Sequence, residues 1–145
     1  MFQHILVPTD GSTLSTDALR KATRFAKEAH ARLVIVTVTR PPHIITPLGD
    51  QVDAVGDVYG ADIRARAAQD LADAAAIPAA AGVPCDTVQI EHEQPYQAII
   101  DTATNKGCDL IAMASHGRRG LAALLVGSET TKVLTHSKVP VLVYR

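Results

Sequence analysis

Tryptophan is absent from this 145-residue chain, and aromatic residues make up only 3% of it. Single-stranded nucleic acids are held on stacked aromatic rings, so that mode of recognition has no basis here. An excess of either charge is missing too. Lys and Arg number 14 against 15 Asp and Glu, a formal net charge of -1, which is not the footprint of a protein that grips a phosphodiester backbone. The only cysteines, Cys85 and Cys108, are too few for a disulfide framework. Each lies beside a strand-like run, which favours buried, reduced thiols. No apolar run approaches the length that spans a bilayer. Met1 leads straight into a strand-like segment, with no charged leader and no cleavage site. These absences point to a cytoplasmic domain with neither nucleic acid nor membrane as a partner.

What is present is small and aliphatic. Hydrophobic residues make up 47% of the chain, mostly Ala, Val, Leu and Ile, enough for one domain core of helices packed closely on a sheet. There is no internal repeat and no domain-sized linker, so residues 1–145 are expected to form a single domain.

Phe2 to Val7 reads as a buried strand ending at Pro8. Leu14 to Ala29 reads as a helix, because Ala18, Leu19, Ala22, Phe25, Ala26 and Ala29 recur at three and four residues. Ser12, Thr13 and Ser15 offer N-cap chemistry at its start. Leu33 to Thr39 is a β-branched run suited to a strand covered on both faces. Arg40 to Gly60 holds three prolines and three glycines and reads as a long loop. Ala61 to Ala81 is helical in pattern, with Pro78 expected to kink or end it. A strand over Cys85 to His92, a helix over Pro95 to Lys106 and a strand over Leu110 to Ala114 follow. A helix over Gly127 to Ser137 and a strand over Pro140 to Tyr144 complete the chain. Strands alternating with helices imply a parallel sheet with helices on both faces.

Two signals stand at strand ends. Pro8-Thr9-Asp10-Gly11-Ser12 follows the first strand. Ala114-Ser115-His116-Gly117, nine further residues, then Gly127-Ser128, follows the fourth. In open α/β sheets ligands bind beyond the carboxyl ends of the strands, where the strand order reverses. A Rossmann-type order sets the first and fourth strands side by side at that point, so the two signals would form one nucleotide site. Gly117 permits close approach of a ligand. Gly127 and Ser128 open a helix whose free amides and dipole suit an anion. The Ser128 and Thr130 hydroxyls are candidate donors to phosphate oxygens. Val38, at the end of the second strand, could offer backbone groups to a base edge. Asp10 could hold a ribose hydroxyl or a metal ion, or only cap a turn. Arg118 and Arg119 read as a solvated loop face before they read as phosphate clamps. No Lys precedes Ser128, so this is not a P-loop. His116 has no identifiable nucleophile or base beside it and reads as a loop residue bonded to backbone. Glu91-His92-Glu93 cannot aim three adjacent side chains at one metal from a strand.

Ile5 to Ser12, Asp109 to Gly117, Gly127-Ser128 and Val139-Pro140-Val141-Leu142-Val143 resemble the universal stress protein family over essentially the whole length. The resemblance implies a Rossmann-like open five-stranded parallel sheet of order 3-2-1-4-5. It implies binding of ATP, with AMP or ADP as other occupants, and Mg2+ or Mn2+ only through the phosphates. The family's ATP-binding branch carries Gly-x-x-Gly-x9-Gly-Ser/Thr; here Gly117, the spacing, Gly127 and Ser128 match it, and Ala114 stands at its first Gly. Carried over residue by residue, the site is Pro8, Thr9, Asp10, Val38, Met113, Ala114, Gly117, Gly127, Ser128 and Thr130. Glu129 lies within it, its carboxylate pointing outward or toward a metal held by the phosphates. The resemblance also implies a homodimer through the C-terminal strand, whose apolar edge calls for a partner. The expected function is that of a dimeric stress-response regulator or switch. The alternatives are an interaction module of the same fold without nucleotide, and a slow ATPase.

Overall fold

Ile5, Leu6 and Val7 in β1 (His4–Pro8) are all 0% exposed. A strand apolar on both faces must run through the middle of a sheet that helices cover on both sides. The computed structural model describes residues 1–42, 52–117 and 126–145, with the side chains of 52–57 left aside. It places β1 at the centre. The remaining elements are α1 (Thr13–Ala29), β2 (Arg32–Thr39), α2 (Val52–Ala81), β3 (Cys85–Glu91), α3 (Pro95–Asn105), β4 (Leu110–Ala114), α4 (Ser128–His136) and β5 (Val141–Tyr144). The sheet is five-stranded, in the order β3-β2-β1-β4-β5, and every pairing is parallel. The order expected from the family resemblance is the order found.

Alternation along each central strand divides the core in two. Ile5, Val7, Leu33, Ile35, Leu110 and Ala112 pack with Leu19, Ala22 and Ala26 of α1 and Leu71 and Ala74 of α2. Leu6, Val34, Val36, Ile111 and Met113 pack on the other face with Ile99 and Ala103 of α3 and Val133 of α4. A one-residue slip of any central strand would exchange these faces.

Local signals fix the ends of several elements. The Ser12 hydroxyl accepts the Ser15 amide at 3.2 Å and caps α1. Pro95 begins α3, and Gly107, at φ 69°, ends the turn after it. One expectation needs correction. Residues 52–60 belong to the expected loop but are helical: α2 begins at Val52. The prolines of that segment all precede Val52, and glycine only weakens a helix, by about 1 kcal/mol each, which the packing of the rest of α2 outweighs. The helix also continues past Pro78 to Ala81 before Gly82, at φ 73°, ends it. Pro78 lies in the last turn, so only three helical residues follow it. Residues 43–51, the rest of that expected loop, lie outside the described residues.

At the β5 edge, Ile111 donates to the Pro140 carbonyl and Ser115 to that of Tyr144, at 2.9 and 2.8 Å. Backbone groups alternate along a strand, so those of Val141 and Val143 face away from β4. Among the described residues no helix is long and apolar enough to cross a membrane.

Candidate functional site

A cavity of about 380 Å³ opens where β1 and β4 part, at the carboxyl ends of β1, β2 and β4. Pro8, Thr9, Asp10 and Val38 line one side of it, with Met113, Ala114 and Gly117 from β4 and the loop after it. Ser128, Glu129 and Thr130 of α4 form the far wall. The structure thus gathers ten of the eleven expected residues around one space. Gly127 stands just behind, its amide bonded to the Ser115 carbonyl at 2.7 Å.

β2 outruns β1, and this exposes backbone. Pro8, the last residue of β1, pairs with Val36, whose carbonyl accepts the Thr9 amide at 2.9 Å. Two residues on, Val38 turns its amide and carbonyl the same way, past the end of β1. The β1–α1 turn is held from within. Ser12 donates its amide to Asp10 Oδ1 at 2.9 Å. Thr9 Oγ1 and Ser15 Oγ lie 3.1 Å apart, and Thr37 donates to the Thr9 carbonyl at 3.0 Å. Asp10 is therefore a turn residue, and its other oxygen lies beside Gly117: a Cβ built there would be 2.7 Å from Oδ2. Gly127 is equally confined, its Cβ position lying 3.2 Å from the Ser115 carbonyl oxygen.

The α4 wall differs from expectation in three respects. Glu129, expected to point outward or toward a metal held by the phosphates, is engaged by protein groups. Its Oε1 lies 3.3 Å from Arg40 Nη2 and 3.3 Å from Lys132 Nζ, and its Oε2 accepts the Tyr96 amide at 3.0 Å. That bond caps α3, whose N-cap Gln94 supplies no side-chain bond of its own. The cause is electrostatic: a carboxylate at the start of α4 sits within reach of a second helix N-terminus and two cations. Secondly, Thr130 donates its single hydroxyl proton to the Ala114 carbonyl at 3.0 Å. That proton is unavailable to a phosphate, which leaves Ser128 as the donor of the pair. Thirdly, His116 bonds through Nδ1 to the Ser115 hydroxyl at 2.9 Å, not to backbone. Arg118 and Arg119 lie outside the described residues.

Ser15, Val36, Arg40, Pro95 and Ile99 also line the cavity and were missed. Arg40 had a signal: it is two residues beyond Val38, on the same edge of the chain. Pro95 and Ile99 had none, since nothing local says which helix turn leans over the β1–β4 crevice. Among the described residues no group of three His, Cys, Asp or Glu could hold a metal ion. Glu91 instead pairs with Arg64 at 3.6 Å.

A doubly wound parallel sheet with a cavity at its switch point and an uncapped helix N-terminus on one wall defines a Rossmann-like α/β domain. The model of the universal stress protein family matches residues 1–145, and the chain belongs to that family. It is 34% identical over 149 aligned residues to the universal stress protein YxiE of Bacillus subtilis, covering all of both chains. Among solved structures it is similar to a universal stress family protein from Burkholderia pseudomallei, with TM-score 0.79 and 29% identity over 99% of this chain and 96% of that one. It also resembles a universal stress protein solved in complex with cAMP, with TM-score 0.69 and 25% identity over 99% and 97% of the two chains.

Proposed function

We propose that the chain binds an adenine nucleotide in this cavity and acts as a dimeric stress-response regulator in the cytoplasm. One observation carries the reading. The backbone groups of Val38 and the first turn of α4 stand at opposite sides of a single cavity. A base edge is read by a paired backbone donor and acceptor, and a phosphate by free helix amides. Asp10, in the turn that follows β1, suits a ribose hydroxyl. Gly117, Gly127 and Ser128 provide close approach and donors at the phosphate end. The relative solved with cAMP supports an adenine ligand. In this reading ATP, ADP and AMP are the candidate occupants, and Mg2+ or Mn2+ would enter with the phosphates. No residue is assigned a catalytic role. The outward amides of Val141 and Val143 would pair across a two-fold axis.

Calorimetric and thermal-shift titrations with AMP, ADP and ATP, with and without Mg2+, test the reading. Saturation at a hundred times Kd stabilises the fold by about 2.7 kcal/mol, a shift of several degrees. No shift with any of them at millimolar concentration overturns it.

Ala114 favours a second reading, an interaction module without nucleotide. Its methyl group stands where the binding branch has hydrogen, and it is only 7% exposed on the cavity wall. Binding that appears only in Ala114→Gly would establish this alternative.

A further inference from the structure

We propose that His116 is a phosphate ligand of this cavity, donating through Nε2. The inference rests on the nucleotide reading and assigns a residue that the family motif passes over.

His116 is only 9% exposed, and its Nε2 is buried without a hydrogen-bond partner. Buried polar atoms are nearly always satisfied, and leaving one unmade costs the desolvation of that group. His116 is among the residues that line the cavity. Its position follows from the Gly127 amide bond to the Ser115 carbonyl, 2.7 Å, which pins the start of α4 to the end of β4. A Cβ on Gly127 would lie 3.3 Å from His116 Cα and 3.7 Å from its Cδ2. Nε2 is bonded to Cδ2 within the ring, so the orphaned nitrogen is on the side nearest the α4 N-terminus.

The other ring nitrogen sets the chemistry. Nδ1 lies 2.9 Å from Ser115 Oγ, and among the described residues that hydroxyl has no other partner. A serine that donates to Nδ1 leaves the imidazole proton on Nε2. Nε2 is then a donor, which an anion accepts from and a cation does not. Ser115 is 5% exposed and does not line the cavity, so it orients the ring and is no nucleophile. Helix N-terminus and imidazole converge on one anionic group. The ligand class is therefore the phosphate ester end of the nucleotide, with the nucleoside end read elsewhere.

Calorimetry of the full chain with AMP and with adenosine separates the two ends. His116→Phe keeps an aromatic ring, slightly larger than imidazole, and removes the donor. It should weaken AMP roughly ten- to hundredfold and change adenosine by less than about twofold. His116→Gln, whose terminal amide donates, should recover part of the loss. Equal losses for both ligands, or none, overturn the proposal. In the unaltered protein labelled with 15N-histidine, the Nε2 resonance should shift with AMP and stay with adenosine; a resonance indifferent to AMP overturns it too. If the unaltered protein binds neither ligand, the nucleotide reading itself falls, and that result is visible before any variant is made.

Discussion

A methyl group on Gly117 would sit 2.7 Å from Asp10 Oδ2, closer than a real Cβ tolerates. Either the β1–α1 turn or the loop after β4 has to move. Gly117→Ala should cost about 1–2 kcal/mol in urea unfolding, as overpacking does, and should weaken nucleotide binding in calorimetry. The cysteines make a contrasting case. Burial pushes both the Cys85 and the Cys108 thiol up to about 11, with Asp86 and Asp109 respectively adding to the rise. At pH 8 neither is a thiolate, so a disulfide reagent should label the native protein far more slowly than the urea-unfolded chain. Absorbance at the released chromophore reads the difference. At this scale the sequence was informative wherever a residue's reason was local. The spacing from Gly117 to Gly127 and the Asp10 turn are written in neighbouring residues. The partners of Glu129 are not: Tyr96 and Arg40 lie 33 and 89 residues away. No local pattern reports which helix end a carboxylate will meet.

Between elements, Glu129 is the tie. It belongs to α4, caps α3 and reaches Arg40 just beyond β2. Glu129→Ala removes the side-chain acceptor of the Tyr96 amide in the first turn of α3. The expected loss is about 1 kcal/mol, the ordinary worth of an N-cap. Glu129→Gln keeps an acceptor for the Tyr96 amide and should lose less in the same urea titration. Periodicity and capping residues made most elements legible. The start of α2 was not, because Gly56 and Gly60 lie close behind Pro41, Pro42 and Pro47 and share their turn-forming character. Proline removes a helix amide on covalent grounds, a cost of about 3 kcal/mol in a helix interior, whereas glycine costs only about 1 kcal/mol and packing overrides it.

For the molecule as a whole, acid is the informative perturbation. Burial, and then Arg32, lowers the pKa of His4 below its ordinary 6.5. The folded state keeps it neutral, so on acidification the unfolded chain takes up the proton first. Stability is full above about pH 6.5 and falls below it, by at most about 1.4 kcal/mol per pH unit for one linked proton. His4→Leu should flatten the fall in melting temperature between pH 7 and pH 5. Asp109 extends the decline to stronger acid. Burial raises its pKa, but the Gln3 and His4 amides bonded to its carboxylate outweigh this and hold it low. Its contribution is lost only as pH falls through that depressed value. The strand order was legible through the family motifs, yet periodicity alone would have left it open, since many parallel orders share the same alternation. The β5 edge offers a direct test of association. Val143→Pro deletes an outward amide and leaves the ladder to β4 intact, so sedimentation should show monomers with unchanged secondary structure. The other edge of the sheet is unlike this one. β3 presents exposed Asp86, Thr87, Gln89 and Glu91, charged and polar where β5 is aliphatic. Two copies joined through their aliphatic margins bury the same surface twice and leave only hydrophilic margins at both outer limits. In the proposed dimer such growth would be self-terminating: the sheet would double once and keep no aliphatic margin from which a filament could start.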